Sequence, residues 1–257
     1  MHPPEVKQEA LRLVAEGLND CEIGRRLGIP RSTILEWRRP SYVARGSSPP
    51  HTSCPRCWGP AKPMTFTPAD YSELLAVYLG DGSISTHPRT QRLRVALDLK
   101  YPGIIADVRA LLEQCFPYNN VDEVQSIGCV HVSLYSTHLS CIFPQHGPGM
   151  KHQRPIILER WQREHVETEP WPFIRGCIRT DGCAFINRTN VHREQPYEYL
   201  SYQFSNMSGD IVGLFVDACS AVGVFTRLNC DARGRWDVRI NRRASVELMV
   251  EHVGLKH

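Results

Sequence analysis

Two similar peptides, a hundred residues apart, constrain what this chain can fold into more than any other feature. The first covers residues 74–83 (LLAVYLGDGS) and the second covers residues 173–183 (FIRGCIRTDGC). Each is largely apolar, carries small residues at helical spacing, and ends in an Asp-Gly pair formed by Asp81 or Asp181. Small residues let two helices pack with a short distance between their axes. We therefore expect these helices to lie side by side and to bring the two aspartates together.

The sequence after each Asp-Gly pair predicts a similar succession of elements. We predict two repeats, residues 67–165 and 166–257, each ordered helix, strand pair, helix, strand pair, helix. In the first repeat we predict strands at 92–99 and 129–135 and a helix at 101–116. In the second we predict strands at 183–190, 199–205, 225–230 and 236–240, and helices at 210–222 and 244–253.

The paired peptides resemble the two motifs that define the LAGLIDADG homing endonuclease family in its two-repeat, single-chain form. The resemblance covers about residues 67–257. It implies an α+β fold, a pseudo-twofold pair of αββαββα repeats whose antiparallel saddle sheets bind double-stranded DNA. It also implies a site-specific endonuclease that hydrolyses phosphodiester bonds with the help of a divalent cation.

The same resemblance assigns a metal site to the ends of the two motif helices. Two carboxylates at close quarters repel each other, and a divalent cation between them relieves the repulsion. The resemblance implies that Mg²⁺ or Mn²⁺ is held by Asp81 and Asp181 and by the carbonyls of Gly80 and Thr180. Such a cation polarises a phosphodiester and assists deprotonation of a water molecule.

Lys100 and Asn206 each end a predicted strand just before a predicted helix. The resemblance places a basic or polar residue there, close to the catalytic centre, so we expect both residues to take part in catalysis. Asn206 stands where a lysine is expected, which predicts two half-sites of unequal activity. A solvated strand end for Lys100 and a helix cap for Asn206 are the alternatives.

Basic residues outside the motifs are candidates for contact with DNA phosphates. Pro and Gly exclude a regular element from residues 144–155, which form either a phosphate-contacting loop or an ordered linker between the repeats. The second repeat is also locally rich in arginine, which suits salt-sensitive contacts with the DNA backbone. The candidates are Lys151, His152, Arg154, Arg239, Arg242 and Arg243.

Residues 5–39 show a separate helical pattern that parses into three short helices. The run CEIGRRLGIPRSTILEWRR resembles the helix-turn-helix of resolvases and small regulators, with Ile34 and Trp37 as buried anchors. We predict a DNA-binding domain over residues 1–42, and a three-helix protein-interaction domain is the alternative. Its candidate DNA contacts are Arg31, Ser32, Thr33 and Arg38.

Residues 43–66 are rich in Pro, Ser and Gly and are predicted to be a linker. The linker contains Cys54 and Cys57, a Cys-x-x-Cys spacing that can present two thiolates to Zn²⁺, with His51 as a third ligand. The alternative is a pair of reduced thiols, because a second such pair does not occur in the sequence.

Composition favours a protein of the cell interior with nucleic acid as its partner. The formal net charge is +3, and no apolar run reaches the roughly 18 residues that a membrane helix needs. We expect a cytoplasmic, nucleoid-associated and prokaryotic protein, with no membrane contact. A monomer suffices for double-strand cleavage because one chain carries both halves. The alternative function is a transcriptional regulator that keeps the fold without cleavage, and the presence of both aspartates favours the enzyme.

Overall fold

A computed structural model describes residues 2–38, 66–189 and 197–256. The chain divides into two compact units, residues 1–50 and residues 51–257. Each unit has a hydrophobic core of its own. Residues 43–65 of the predicted linker, with Cys54, Cys57 and His51, lie outside the described residues.

The N-terminal unit contains three helices: α1 (Pro4–Ala15), α2 (Asp20–Leu27) and α3 (Arg31–Arg38). The Asn19 side chain caps α2 by accepting from the amides of Cys21 and Glu22, and Gly28 ends α2 in the left-handed conformation. Ile34 is fully buried and Trp37 is nearly so, which confirms both predicted anchors. The tight connection between α2 and α3 is the geometry that a helix-turn-helix requires.

The larger unit contains two similar halves. The first half consists of α4 (Pro68–Leu79), β1 (Gly82–His87), β2 (Thr90–Asp98), α5 (Pro102–Cys115), β3 (Val121–Ser126), β4 (Cys129–Ser136) and the one-turn helix α6 (Leu139–Ile142). A connection containing a 3₁₀ turn (Lys151–Gln153) and α7 (Arg160–Thr168) follows. The second half consists of α8 (Pro170–Asp181), β5 (Gly182–Thr189), β6 (Tyr197–Asn206), α9 (Gly209–Ala221), β7 (Arg227–Cys230), β8 (Trp236–Ile240) and α10 (Arg243–His252).

The two halves have the same topology. Each forms an antiparallel four-stranded sheet, ordered β1-β2-β4-β3 in the first and β5-β6-β8-β7 in the second. The predicted α+β class and repeat order are thereby confirmed. Two details differ from the prediction. The closing helix of the first half is a single turn, and α7 is an additional helix in the connection, where its buried Gln162 bonds Tyr71 of α4.

The helices α4 and α8 pack against each other through their small residues. A Cβ atom on Gly176 would lie 2.7 Å from the Cβ atom of Ala76, and one on Gly80 would lie 2.1 Å from Thr180 Oγ1. Neither distance leaves room for a side chain, so glycine is required where the two backbones approach most closely. The sequence prediction of a short interaxial distance is therefore confirmed by the packing.

A network of charges fixes which helices pair. Glu73 of α4 is almost fully buried and accepts from Arg175 (2.7 Å) and Arg179 of α8, and Arg179 also bonds Asp107 of α5. When residues one hundred positions apart are equated, Glu73 of α4 corresponds to Phe173 of α8. The arginines Arg175 and Arg179 of α8 correspond to leucines of α4. Two copies of α4 would therefore bury unpaired carboxylates, so the network favours pairing of the unlike halves.

Candidate active site at the paired helix ends

The two aspartates lie where α4 and α8 end side by side. Asp81 follows Gly80, the residue that caps α4, and Asp181 is the last residue of α8. The residues before the aspartates, Gly80 and Thr180, are in contact. A Cβ atom on Gly82 would meet the Tyr78 backbone at 2.6 Å, and Gly182 has the same constraint against Ile178. Glycine therefore lets each chain enter its first strand immediately after the aspartate.

Both carboxylates are destabilised as anions in this position. Burial, followed by the charge of Asp181, raises the pKa of Asp81 to about 6, against the opposing influence of Lys151 and Lys256. Burial also raises the pKa of Asp181, while a hydrogen bond from Asn206 opposes the rise. Two carboxyl groups whose ionised forms are both disfavoured are typical of catalytic or cation-binding sites.

Two clefts of different size open beside the helix ends. The larger, about 490 Å³, is lined by Asp181, Gly80 and Lys151 together with Asn206. The smaller, about 170 Å³, is lined by Asp81, Thr180 and Lys256. Each cleft thus combines the aspartate of one half with the preceding residue of the other half, so both depend on the helix pairing.

A lysine ammonium occupies the end of α4. Lys151 Nζ donates to the carbonyls of Tyr78 (2.7 Å), Gly80 and Gly82 (2.9 Å), which satisfies all three of its protons. Burial lowers the pKa of Lys151 to about 8, against the opposing charges of Asp181 and Asp81. The sequence prediction gave Lys151 a phosphate contact, and the structure gives it three intramolecular carbonyl partners at the helix end.

A second lysine occupies the matching place at the end of α8. Lys256 Nζ donates to the Thr180 carbonyl at 3.0 Å, and burial lowers its pKa, while the nearby charge of Asp81 opposes the change. Sequence reasoning missed Lys256. The signal was present, because Lys151 follows α6 and Lys256 follows α10, the closing helices of the two halves.

The strand registers correct the predicted equivalence of Lys100 and Asn206. Gly82 pairs with Val95 and Gly182 pairs with Phe204, so the residue that corresponds to Asn206 is Leu97, which is buried. Asn206 donates to Asp181 Oδ2 at 2.7 Å. Lys100 lies in the turn after β2, with its ammonium 5.5 Å from the centre of the Tyr101 ring. Asn206 is therefore in the site, whereas no described contact joins Lys100 to Asp81.

The donor set suits a hard divalent cation. Carboxylate oxygens of Asp81 and Asp181 and backbone carbonyls of Gly80 and Thr180 are the ligand types that Mg²⁺ and Mn²⁺ prefer. The two carbonyls already accept from ammonium groups, which indicates that they face positions favourable to positive charge. Across the described residues, no group of three or more His, Cys, Asp and Glu side chains could hold a metal, so the carbonyls would have to complete any site.

The remaining predicted DNA contacts of this unit fall into different environments. Arg239 is exposed on β8, in the row that also contains Gln203 and Arg227. His152 is exposed in the 3₁₀ turn. Arg154 donates to the carbonyls of Gln145 and Gly149 and so orders its own loop.

The other two arginines make intramolecular contacts beside α10. The guanidinium of Arg242 lies 3.3 Å from the centre of the Phe225 ring, and Arg243 pairs with Glu247. Their DNA contacts remain predictions. On the first sheet, sequence reasoning passed over Arg94, which is exposed on the central strand β2 in the face shared with Ser83.

In the N-terminal unit, Arg31 is exposed and Thr33 is partly buried at the start of α3. The side chains of Ser32 and Arg38 lie outside the described part of the chain. The predicted DNA contacts of this unit therefore remain predictions.

Comparison with solved structures identifies the fold. The structure of I-DmoI in complex with DNA and Mn is similar, with a TM-score of 0.51 and 13% identity, over 74% of this chain and 98% of that chain. A variant of I-DmoI with its target DNA and Mg gives the same values. Mesophilic variants of the homing endonuclease I-DmoI also match, with a TM-score of 0.51 and 13% identity, over 72% of this chain and 89% of theirs. The larger unit has the LAGLIDADG fold.

Comparison of the sequence with protein-family models identifies a similarity at the N-terminus. Residues 2–39 match the family model of the homeodomain-like domain, which agrees with the three helices and the tight turn of the N-terminal unit. A search of the curated proteins found no match to the chain. Among the described helices, none is both long enough and apolar enough to span a membrane.

Proposed function

We propose that this protein is an endonuclease that hydrolyses phosphodiester bonds of double-stranded DNA at a site held between Asp81 and Asp181. The observation that carries the proposal is the convergence of the two carboxylates at the ends of tightly packed helices, each in a cleft shared by both halves. Burial raises the pKa of both carboxyl groups, and the charge of Asp181 adds to the rise at Asp81, which is an arrangement typical of catalytic sites.

The proposed cation is Mg²⁺ or Mn²⁺, held by Asp81, Asp181 and the carbonyls of Gly80 and Thr180. The chemistry that such a cation supplies when bound is Lewis-acid polarisation of the phosphodiester. Asn206 holds the Asp181 carboxylate in one orientation through its amide. The ammonium groups of Lys151 and Lys256 would supply positive charge within the two clefts, which can stabilise the negative charge that accumulates during hydrolysis.

The exposed strand faces of the two sheets are the proposed DNA-binding surface. Arg94 on β2 and Arg239 on β8 are exposed on these faces. Neither guanidinium is paired with a described carboxylate, which leaves both free for phosphate or base contacts. The homeodomain-like unit adds a second DNA contact, through Arg31 at the start of α3. The assignment of the strand faces as the DNA-binding surface draws on the solved I-DmoI complex, which contains DNA.

A plasmid assay tests the proposal. Supercoiled DNA that carries the natural genomic neighbourhood of the gene is incubated with the protein and Mg²⁺ or Mn²⁺. We expect nicking and linearisation that are lost in Asp81→Asn and Asp181→Asn and kept in Asp122→Asn, which alters an exposed carboxylate of β3. Tight DNA binding without strand breaks, with and without metal, would refute the endonuclease and support a DNA-binding regulator.

A further inference from the structure

Lys151 and Lys256 use the same oxygen atoms that a divalent cation would need. The ammonium of Lys151 bonds three carbonyls, one of them that of Gly80, and the ammonium of Lys256 bonds the carbonyl of Thr180. The carbonyls of Gly80 and Thr180 belong to the residues immediately before the two aspartates. The Lys151 ammonium donates all three of its protons to carbonyls, so it fills a position that can hold a cation.

Each aspartate shares its cleft with one of the two ammonium groups. The larger cleft is lined by Asp181 and Lys151, and the smaller cleft by Asp81 and Lys256, among other charged residues. A divalent cation that enters such a cleft meets a positive charge at its ligand carbonyl, and at that range like charges repel strongly. The ammonium and the divalent cation therefore exclude each other.

We infer that Lys151 and Lys256 are resident counter-cations, which hold the metal positions in the free protein and must leave when a divalent cation binds. The inference deepens the proposed function, because it concerns the metal positions that the endonuclease proposal assigns. It predicts that the lysines weaken metal binding by the free protein. It also predicts that bound metal releases the Lys151 side chain from the end of α4 into the larger cleft.

Lys100, in the first half, provides a control for the two lysines. Lys100 is exposed, and its ammonium lies 5.5 Å from the Tyr101 ring, much as that of Lys256 does at 5.4 Å. The described contacts of the Lys100 ammonium include none of the carbonyls at the helix ends. A Lys100→Met variant thus removes one positive charge nearby without freeing a metal ligand.

The first test measures Mn²⁺ binding by calorimetry in the full chain, stripped of metal and without DNA. We expect Lys151→Met and Lys256→Met each to bind Mn²⁺ at least tenfold more tightly than the wild type, and the double variant more tightly still. Lys100→Met is expected to stay within twofold of the wild type. Folding is checked by circular dichroism, and Lys→Gln variants replace any Met variant that does not fold. Folded variants with unchanged Mn²⁺ affinity would overturn the inference.

The second test uses the wild type alone. Acetylation of lysines, read by mass spectrometry, is expected to be at least tenfold slower at Lys151 than at Lys100 in the metal-free protein, because the Lys151 ammonium is enclosed. Equal rates would overturn the inference.

The Mn²⁺-binding test and the plasmid assay together separate this inference from the proposed function. A wild type that neither binds Mn²⁺ nor cuts DNA, together with a double variant that binds Mn²⁺, would refute the endonuclease and support the counter-cations. Cleavage by the wild type, together with unaltered metal affinity in the variants, would support the endonuclease and refute the counter-cations.

Discussion

The raised pKa of Asp81 predicts that the free protein is stabilised when this carboxylate is removed. Asp81 has a pKa of about 6, compared with the ordinary value of 3.8, because burial and the charge of Asp181 disfavour the anion. Protonation of Asp81 therefore favours the folded state. This stabilisation is fully present below pH 3.8 and is lost as the pH rises through about 6.

The size of the effect follows from the shift. One pKa unit corresponds to about 1.4 kcal/mol, so the ionised carboxylate costs about 3 kcal/mol at pH values well above 6. The Asp81→Asn variant escapes that cost and is expected to be more stable by about 3 kcal/mol near pH 8. Near pH 4.5 the gain should shrink to about 1 kcal/mol, because most of the wild-type carboxyl is then protonated in the fold.

Native-state hydrogen exchange of the α4 and α8 amides is the suitable assay, because it reports the unfolding of this unit separately from the N-terminal unit. The protein is metal-free and without DNA, and Asp122→Asn serves as a control expected to change stability by less than about 0.5 kcal/mol. A variant that is less stable than the wild type near pH 8, or a gain that does not depend on pH, would refute the reasoning. Such a gain in stability, together with lost cleavage, is the trade-off expected of an active-site residue.

Four further predictions concern packing, charge pairing, DNA affinity and capping. Gly80→Ala should destabilise the larger unit by about 3 kcal/mol in thermal unfolding, because the added Cβ atom would collide with Thr180. Gly213→Ala of α9 is the control: its Cβ atom would meet no atom within 4 Å, so it should raise stability by up to about 1 kcal/mol. Glu73→Leu should cost about 3 kcal/mol in urea unfolding, because Arg175 loses its carboxylate partner and Arg179 keeps only Asp107, and an unchanged midpoint would contradict the pairing role. Arg239→Gln should weaken DNA binding and lower the slope of log affinity against log salt by about 1, measured by fluorescence anisotropy, and an unchanged slope would remove Arg239 from the interface. Asn19→Ala should lower protection of the α2 amides in hydrogen exchange by about 1 kcal/mol, and unchanged protection would mean that the cap contributes nothing.

Local sequence determined the repeated architecture of the chain. Helices and strands follow from hydrophobic periodicity, which depends only on residues close in sequence, and predicted elements such as 236–240 agree with the structure. The hundred-residue repeat and the small residues of α4 and α8 were sufficient to predict that the two aspartates meet. The strand β3 carries five exposed residues in six, so its sequence lacks the apolar alternation that would have revealed it.

Only the tertiary structure decided which polar groups share the site. Sheet register separates Asn206 from Lys100, because the pairing of Gly182 with Phe204 sets the position of β6 relative to α8, and no local pattern encodes that pairing. The contacts of the two lysines were also decided by the tertiary structure, although both residues follow closing helices: Lys151 begins the 3₁₀ turn after α6, and Lys256 lies beyond α10. Each reaches a carbonyl about 70 or more residues away in sequence, at a helix end that exists only once α4 and α8 have packed.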